Sequence, residues 1–407
     1  MYKWAKRCWS LFLILVALVA GLWGYCSVQL PDTFLVTQGQ ELRLAQMPWL
    51  EPVQKNGALA ASAVPAGSSY NVTLSMFGCL PVKTVRAVVV EQHVVTVCGT
   101  PFGIKMFSQG AMVVGFTDIK QTSGSANPAK SAGLKMGDRI LSINGMETTS
   151  NEDVAAAIQK AEGKPVQVAY VRDGETANTT LQPVMDKETG TWRAGMWVRD
   201  SSAGIGTLTF VDNSTGIYAG LGHPISDADT GESIALRSGE IAGVTITGYE
   251  GGAVGTPGEL KGRFTSEIAV GDILTNGNTG VYGDYYVIPQ GQDMVVAQAH
   301  EVHEGTAEIL TTIDGTTPDW YTVEIERVSL TEEDPNRNMV LHVTDEALLN
   351  TTGGIVQGMS GSPIVQDGKL VGAVTHVLVN DPTRGFGIFA ENMLETAEKA
   401  ASIKDAA

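Results

Sequence analysis

Positive charge is scarce in this chain. Its 407 residues carry 27 Lys and Arg against 44 Asp and Glu, a formal net charge of −17, and no long basic run lies outside the N-terminus. That balance argues against nucleic acid as a partner. Cysteine is scarcer still, with four in all and none at metal-ligand spacing. Cys8 and Cys26 flank or lie within an apolar N-terminal run, so Cys79 and Cys98 are the pair available for a disulfide in an oxidising space, which spacing alone does not establish. Of the six histidines, His300 and His303 come nearest to a zinc-binding pair. They stand in His-Glu-Val-His, which lacks the His-Glu-x-x-His spacing that sets two ligands on one helical face. No metal or cofactor is expected.

What the chain has is glycine, 47 residues of it, among many short Val-, Ile- and Thr-rich segments. That composition points to a mainly β fold with many turns. The length exceeds what one small core organises and implies two or three folded units. At the N-terminus, Lys3, Lys6 and Arg7 precede an apolar run over residues 11–28. The basic flank stays in the cytosol, which leaves the rest of the chain on the other side of the membrane. The run's length lies between a signal-peptide core and a spanning helix. No clear Ala-x-Ala site follows it, and Tyr25 before Cys26 makes a poor lipobox. Residues 1–30 therefore read as an uncleaved signal anchor, with a cleaved signal as the alternative.

Residues 31–92 read as a spacer followed by a small β region. They hold Pro31, Pro48, Pro52 and a small-residue tract over 60–69, then strand-like segments at 70–74 and 85–90. In residues 93–186, Ser131-Ala132-Gly133-Leu134-Lys135-Met136-Gly137-Asp138-Arg139-Ile140-Leu141-Ser142-Ile143-Asn144-Gly145 combines a small-residue helix start, a short apolar strand and an Asn-Gly turn pair. A helical segment with an acidic first turn follows at 151–161, then an alternating strand at 166–171. This stretch resembles the PDZ family, which binds extended peptides by strand addition. The resemblance places the carboxylate-binding loop near Pro101-Phe102-Gly103-Ile104, so Phe102, Gly103 and Ile104 are the expected peptide-binding residues. Their form departs from the common Gly-Leu-Gly-Phe. Residues 190–407 are many short strands broken by Gly, Asp and Asn, as in a barrel or sandwich, with a closing helix at 390–401.

Within that last unit, Gly358-Met359-Ser360-Gly361-Ser362-Pro363 has the form of a nucleophile turn, in which glycines let backbone N–H groups face a developing oxyanion. It resembles the Gly-x-Ser-Gly-x-Pro turn of chymotrypsin-like serine peptidases. That resemblance assigns Ser360 as nucleophile in preference to Ser362, and the N–H groups of Gly358 and Ser360 as the oxyanion hole. Met359 stands where such zymogens usually carry an Asp that pairs with a newly cut N-terminus. Methionine forms no such ion pair, so activation of that kind is not expected. A serine needs a base to take its proton. His223, in the small-residue loop Leu221-Gly222-His223-Pro224-Ile225-Ser226-Asp227, precedes the serine in chymotrypsin-like order. His376 is the second choice. His93 lies at the PDZ boundary, and His342 occupies a strand-like segment. The acid that would orient the imidazole is left open by the residues alone: Asp345 is preferred, Asp272 has the more chymotrypsin-like position, and Asp227 and Asp229 are close to His223.

Taken in order, the anchor, the PDZ segment, Gly222-His223-x-Ile225-Ser226-Asp227-Ala228-Asp229-Thr230-Gly231, and Gly353-Gly354-Ile355-Val356-Gln357 running into the serine turn resemble the SpoIVB peptidase family of endospore-forming bacteria across nearly the whole chain. The second motif continues through Gly372-Ala373-Val374-Thr375-His376-Val377. The resemblance implies a catalytic His223, Asp345 and Ser360; Pro224 stands where the family more often has glycine. It also implies a role: an exported serine endopeptidase in the space between forespore and mother cell. Such an enzyme cleaves itself and a membrane-bound regulator of an intramembrane metalloprotease, releasing pro-sigma-K processing. Two other classes stay open, an envelope protease of the HtrA kind, where the PDZ usually follows the protease domain, and a non-catalytic PDZ scaffold.

Overall fold

The computed structural model describes residues 2–53, 64–122 and 124–406. No charged side chain interrupts residues 8–31, and the chain there forms α1 (Tyr2–Gln29). Its stretch Trp9–Gln29 has a mean hydropathy of 2.3 over 21 residues, long and apolar enough to cross a membrane. The far end of α1 is built into the protein. Cys26 and Leu30 are buried in a core with Phe34, Leu42 and Leu74, and the Trp23 indole donates to the Pro81 carbonyl at 2.9 Å. That core belongs to a four-stranded sheet of β1 (Thr33–Thr37), β2 (Leu50–Val53), β3 (Ser69–Met76) and β4 (Leu80–Val90), in the order β1-β4-β3-β2. Both expected strands of this region lie in it, and residues 60–63 of the small-residue tract lie outside the described residues. Cys79 and Cys98 are free thiols; Cys79 is exposed, and Cys98 is buried, which pushes its thiol up to about 12.

Next come β5 (Val94–Val97) and the 16-residue β6 (Pro101–Phe116), a small hairpin of β7 (Ile119–Gln121) and β8 (Gly124–Ala126), then α2 (Pro128–Ser131), β9 (Arg139–Ile143), β10 (Met146–Glu147) and α3 (Asn151–Lys160). A true capping box starts α3: the Ser150 hydroxyl accepts the Asp153 N–H, and Asp153 accepts the Ser150 N–H. The strands β11 (Val166–Arg172) and β12 (Glu175–Leu181) and the short pair β13 (Val184–Met185) and β14 (Trp192–Arg193) follow. Then comes a second 16-residue strand, β15 (Met196–Val211).

Strands β6 and β15 run antiparallel from Met196 opposite Phe116 to Thr207 opposite Pro101. One end of this ribbon is PDZ sheet, where Ala111 and Val113 pack with Ile140, Ile143 and Val168. The other end is peptidase lobe, where Phe102, Ile104 and Met106 pack with Leu208, Tyr218 and Ile241. The sequence expectation that the PDZ unit starts at 93 is therefore corrected: β5 pairs with β15 and β21, and residues 102–108 of β6 pair with β17, all strands of the first peptidase lobe.

That lobe is completed by β16 (Ile217–Gly220), the long hairpin β17 (Leu236–Glu250) and β18 (Glu259–Asp272), β19 (Thr275–Gly277), β20 (Gly280–Asp284) and β21 (Gln292–Val295). The second lobe is a closed barrel, in the order β22 (Gly305–Thr311), β23 (Asp319–Val328), β24 (Met339–Val343), β27 (Asp381–Phe389), β26 (Lys369–Leu378) and β25 (Pro363–Gln366). Its core is Ile309, Val323, Leu341, Ile364 and Val374. Between β24 and β25 lies α4 (Glu346–Thr352), and α5 (Ala390–Ala406) lays Met393, Leu394, Ala397 and Ala400 against Phe210 and Ile217 of the first lobe. The fold is the expected one: mainly β, with an apolar N-terminal helix, a PDZ domain and a β-barrel peptidase domain.

Candidate active site

The serine turn sits between the lobes, held by β15. Gly358 (φ +98°) and Gly361 (φ +95°) adopt backbone conformations that L side chains avoid. A Cβ on Gly361 would also lie 2.0 Å from the Thr207 carbonyl oxygen, so β15 passes too close for any side chain there. The carbonyls of the turn are taken up by that strand. The Thr207 N–H donates to Ser360 O at 2.9 Å, its hydroxyl to Gly358 O at 2.9 Å, and the Thr209 hydroxyl to Gly361 O at 2.7 Å. With the carbonyls committed, the N–H groups of Gly358 and Ser360 are left without an intramolecular acceptor among the described residues. Met359 is fully buried in the barrel core, and the buried Ser362 hydroxyl donates to Met359 O at 2.6 Å. Ser360 is the half-buried serine of the pair, and its Oγ donates to the Thr375 carbonyl at 2.6 Å.

His223 comes from the first lobe, on the loop after β16. A Cβ on Gly222 would meet Thr375 Cγ2 at 3.0 Å, which places that loop against the strand that receives the Ser360 hydroxyl. Asn276 clamps the loop, accepting from Ile225 N–H at 2.7 Å and donating to the carbonyls of Ile225 and Ile234. His223 Nδ1 lies 2.9 Å from the Pro224 carbonyl. A carbonyl only accepts, so Nδ1 carries the hydrogen and Nε2 keeps the lone pair that a base requires. The ring stacks on His376, with centroids 4.5 Å apart and planes tilted by 32°. Burial lowers the His223 pKa below its ordinary value, with the Pro224 carbonyl opposing. Burial and the neighbouring His223 push His376 down to about 4.

The acid does not join them. Asp345 is the N-cap of α4: its carboxylate accepts the N–H groups of Ala347 at 2.9 Å, Leu348 at 3.1 Å and Thr322 at 3.3 Å. In this structure the Asp345 carboxylate is engaged at the helix cap, and the hydrogen bond at His223 Nδ1 is to the Pro224 carbonyl. Asp272 accepts the Asp284 N–H, and Asp227 and Asp229 bind Arg199. Because asparagine accepts the same amides, Asp345→Asn is expected to keep most of the turnover, while Asp345→Ala loses about 1 kcal/mol of stability. Thermal melts beside peptide-cleavage assays decide this; equal loss of turnover in both, with unchanged melting, would return the carboxylate to the proton relay.

The remaining histidines are elsewhere. His93 pairs with buried Asp212, His300 packs against the N-terminal sheet, His303 meets Asp367 and His342 meets Glu326. The expected peptide-binding loop is also corrected. Phe102, Gly103 and Ile104 lie mid-strand in β6 with β15 on one side and β17 on the other, so no edge is free for a peptide. A Cβ on Gly103 would strike the Phe264 ring at 2.1 Å. The free edge of the PDZ sheet is residues 196–199 of β15, paired with β6 alone and flanked by α3. Asp200 accepts the Asn151 N–H at one end of that helix, and Gln159 accepts the Trp192 N–H near the other. The sequence signal for this edge was Ala194-Gly195-Met196-Trp197, which lies past the expected PDZ boundary at residue 186.

The serine turn and the His223 loop thus meet at β26: the Ser360 hydroxyl donates to the Thr375 carbonyl rather than to His223, and the His223 ring stacks on His376 of the same strand. The model of the SpoIVB peptidase S55 family matches residues 190–394, half of the chain and every residue of this site. The chain belongs to that family. A PDZ domain model matches residues 109–182, so the family member in hand is a PDZ-containing serine peptidase. Curated relatives match only in part. A putative zinc metalloprotease of Clostridium perfringens is 31% identical over 87 residues, 21% of this chain and 26% of that protein. The zinc metalloprotease RasP of Shouchella clausii is 38% identical over 64 residues, 15% of each chain. The peptidase thus spans about a quarter or less of the length of these relatives. Among solved structures, the PDZ domain of an SdrC-like protein from Listeria monocytogenes covers 22% of this chain and 87% of its own, at 23% identity and a TM-score of 0.18. The inactive form of the Rv3671c protease covers 48% of this chain and 84% of its own, at 14% identity and a TM-score of 0.26.

Proposed function

We propose that this peptidase is an exported, membrane-anchored serine endopeptidase of sporulation, in which Ser360 is the nucleophile, His223 the general base, and the N–H groups of Gly358 and Ser360 the oxyanion hole. The observation that supports the site assignment is the serine turn itself, whose Gly358 and Ser360 amides are uncommitted, beside a strand, β26, against which the loop of a His223 with a lone-pair Nε2 also packs. The base takes the Ser360 proton as Oγ attacks a peptide carbonyl, and returns it to the leaving amine; water then releases the acyl group. Family membership supports the finer role. The substrates would be the protein itself and a membrane-bound regulator of an intramembrane metalloprotease, in the space between forespore and mother cell, with pro-sigma-K processing downstream. Anchoring is supported by the burial of Cys26 and Leu30: a cut beyond Leu30 would strip both side chains from the core of the first sheet.

Mass spectrometry of the detergent-solubilised full chain tests this reading. Incubation should release N-terminal fragments from the wild-type chain and none from Ser360→Ala. Absence of fragments in both, with a synthetic peptide still cleaved, would remove self-processing from the reading while leaving the peptidase.

A further inference from the structure

Strand β15 does more than join the two domains. Its first residues form the free PDZ edge, and Thr207 and Thr209 near its far end hold the serine turn. The last residue of that edge is Arg199, opposite Met112 in the PDZ part of the ribbon. Its guanidinium reaches out of the PDZ sheet and into the His223 loop. Nη1 donates to Asp227 and Nη2 donates to Asp229 Oδ2 at 2.6 Å.

Asp227 is the residue around which that loop turns. Its side chain is 2% exposed. Its Oδ1 accepts the N–H groups of Asp229 and Thr230, both at 3.0 Å, and its backbone exchanges bonds with Glu232 O and Gly231 N–H. Three residues earlier the chain is at Pro224, whose carbonyl sets the His223 tautomer. Asn276 fixes the inner side of the loop through Ile225 and Ile234, and Arg199 fixes the outer side through Asp227 and Asp229.

We propose that Arg199, a residue of the PDZ sheet, is a positioning residue for the general base, and that its fork on Asp227 and Asp229 makes the PDZ domain part of the scaffold of the catalytic loop. The proposal rests on His223 being that base. Removing the guanidinium leaves a buried carboxylate without its counter-charge, and the loop must open to hydrate it. A displacement of about 1 Å at a catalytic group is worth about 100-fold in rate. Lysine keeps one charge but not the planar fork, so it can serve one carboxylate at a time.

The experiment uses the full chain in detergent, a short fluorogenic peptide that the wild type cleaves, and the variants Arg199→Ala, Arg199→Lys, Asp229→Asn and His223→Ala. Arg199→Ala should lower kcat by about 100-fold with KM within about twofold, since the fork touches the loop and not the substrate. Arg199→Lys should fall between it and the wild type. Asp229→Asn should lose less than Arg199→Ala, because Asp229 is half exposed. Hydrogen exchange over residues 222–227 should quicken in Arg199→Lys while residues 358–362 keep wild-type protection, a split that a general loss of stability would not give. If Arg199→Ala does not fold, Arg199→Lys carries the test alone, as it leaves Asp227 a partner. An inactive His223→Ala with wild-type kcat in both Arg199 variants overturns the inference and spares the site assignment. A change confined to KM overturns it as well. An active His223→Ala overturns both.

Discussion

Ser360→Ala is expected to abolish peptide cleavage, a fall of about 10⁶-fold in kcat by analogy with other serine nucleophiles removed singly. The protein should melt at the wild-type temperature. The Ser360 hydroxyl makes one internal bond, to the Thr375 carbonyl, and that carbonyl sits beside a half-buried serine where water can replace the lost donor. The shape of the turn depends on other atoms: the positive φ of Gly358 and Gly361, the hydroxyls of Thr207 and Thr209, and the burial of Met359. Labelling by a fluorophosphonate probe should vanish with the hydroxyl. The neighbouring serine should behave in the opposite way. Ser362 is fully buried and its hydroxyl satisfies the Met359 carbonyl, so Ser362→Ala should cost about 1–3 kcal/mol in stability while the remaining folded fraction still labels. Wild-type labelling in Ser360→Ala with none in a folded Ser362→Ala would move the nucleophile by two residues.

The parts of the site that were legible in the sequence are those dictated by local backbone chemistry. A glycine-serine turn ahead of a Val-rich strand announces itself, because positive φ and close approach select glycine whatever the rest of the fold does. The same holds for Asn144-Gly145 in the PDZ segment and for the charge-free run of α1. Tertiary placement was not legible. Asp345 reads in the sequence as a carboxylate ahead of the serine turn; that its side chain caps α4 through the amides of Ala347 and Leu348 is visible only once the helix is in place. The PDZ resemblance puts the peptide-binding loop at Phe102-Gly103-Ile104, by its position ahead of the segment that carries the resemblance. A segment's local sequence does not say that two other strands flank it. Nor does sequence spacing show that β6 and β15 are each shared by two domains, and that sharing moved both domain boundaries. Pro224 stood out in the sequence as a departure from the family, but its carbonyl as the acceptor for Nδ1 is a matter of three-dimensional geometry.

The base yields the second large effect and a pH signature. His223→Ala should reduce kcat by about 10⁴- to 10⁶-fold, because it removes the ring whose Nδ1–H is fixed on the Pro224 carbonyl and whose Nε2 is left as the acceptor. His376 lies in stacking contact, on the strand whose Thr375 carbonyl holds the serine hydroxyl, so His376→Gln is measured beside it to tell the two rings apart. His223 must be neutral to accept a proton, so kcat/KM should rise with pH as the imidazolium is lost. Burial disfavours the charged ring, and the Pro224 carbonyl restores only part of that, so the midpoint of the rise should lie below the ordinary imidazole value of about 6.5. The limb does not belong to His376, which is held down near 4, so His376→Gln should leave its midpoint within the range below 6.5. Rate profiles between pH 4 and 9 on a short peptide, for the wild type and both histidine variants, provide the measurement. A rise centred at or above 7 would mean that a carboxylate faces the ring after all, as Asp345 would if it left its cap on α4, since an adjacent negative charge raises an imidazole pKa rather than lowering it.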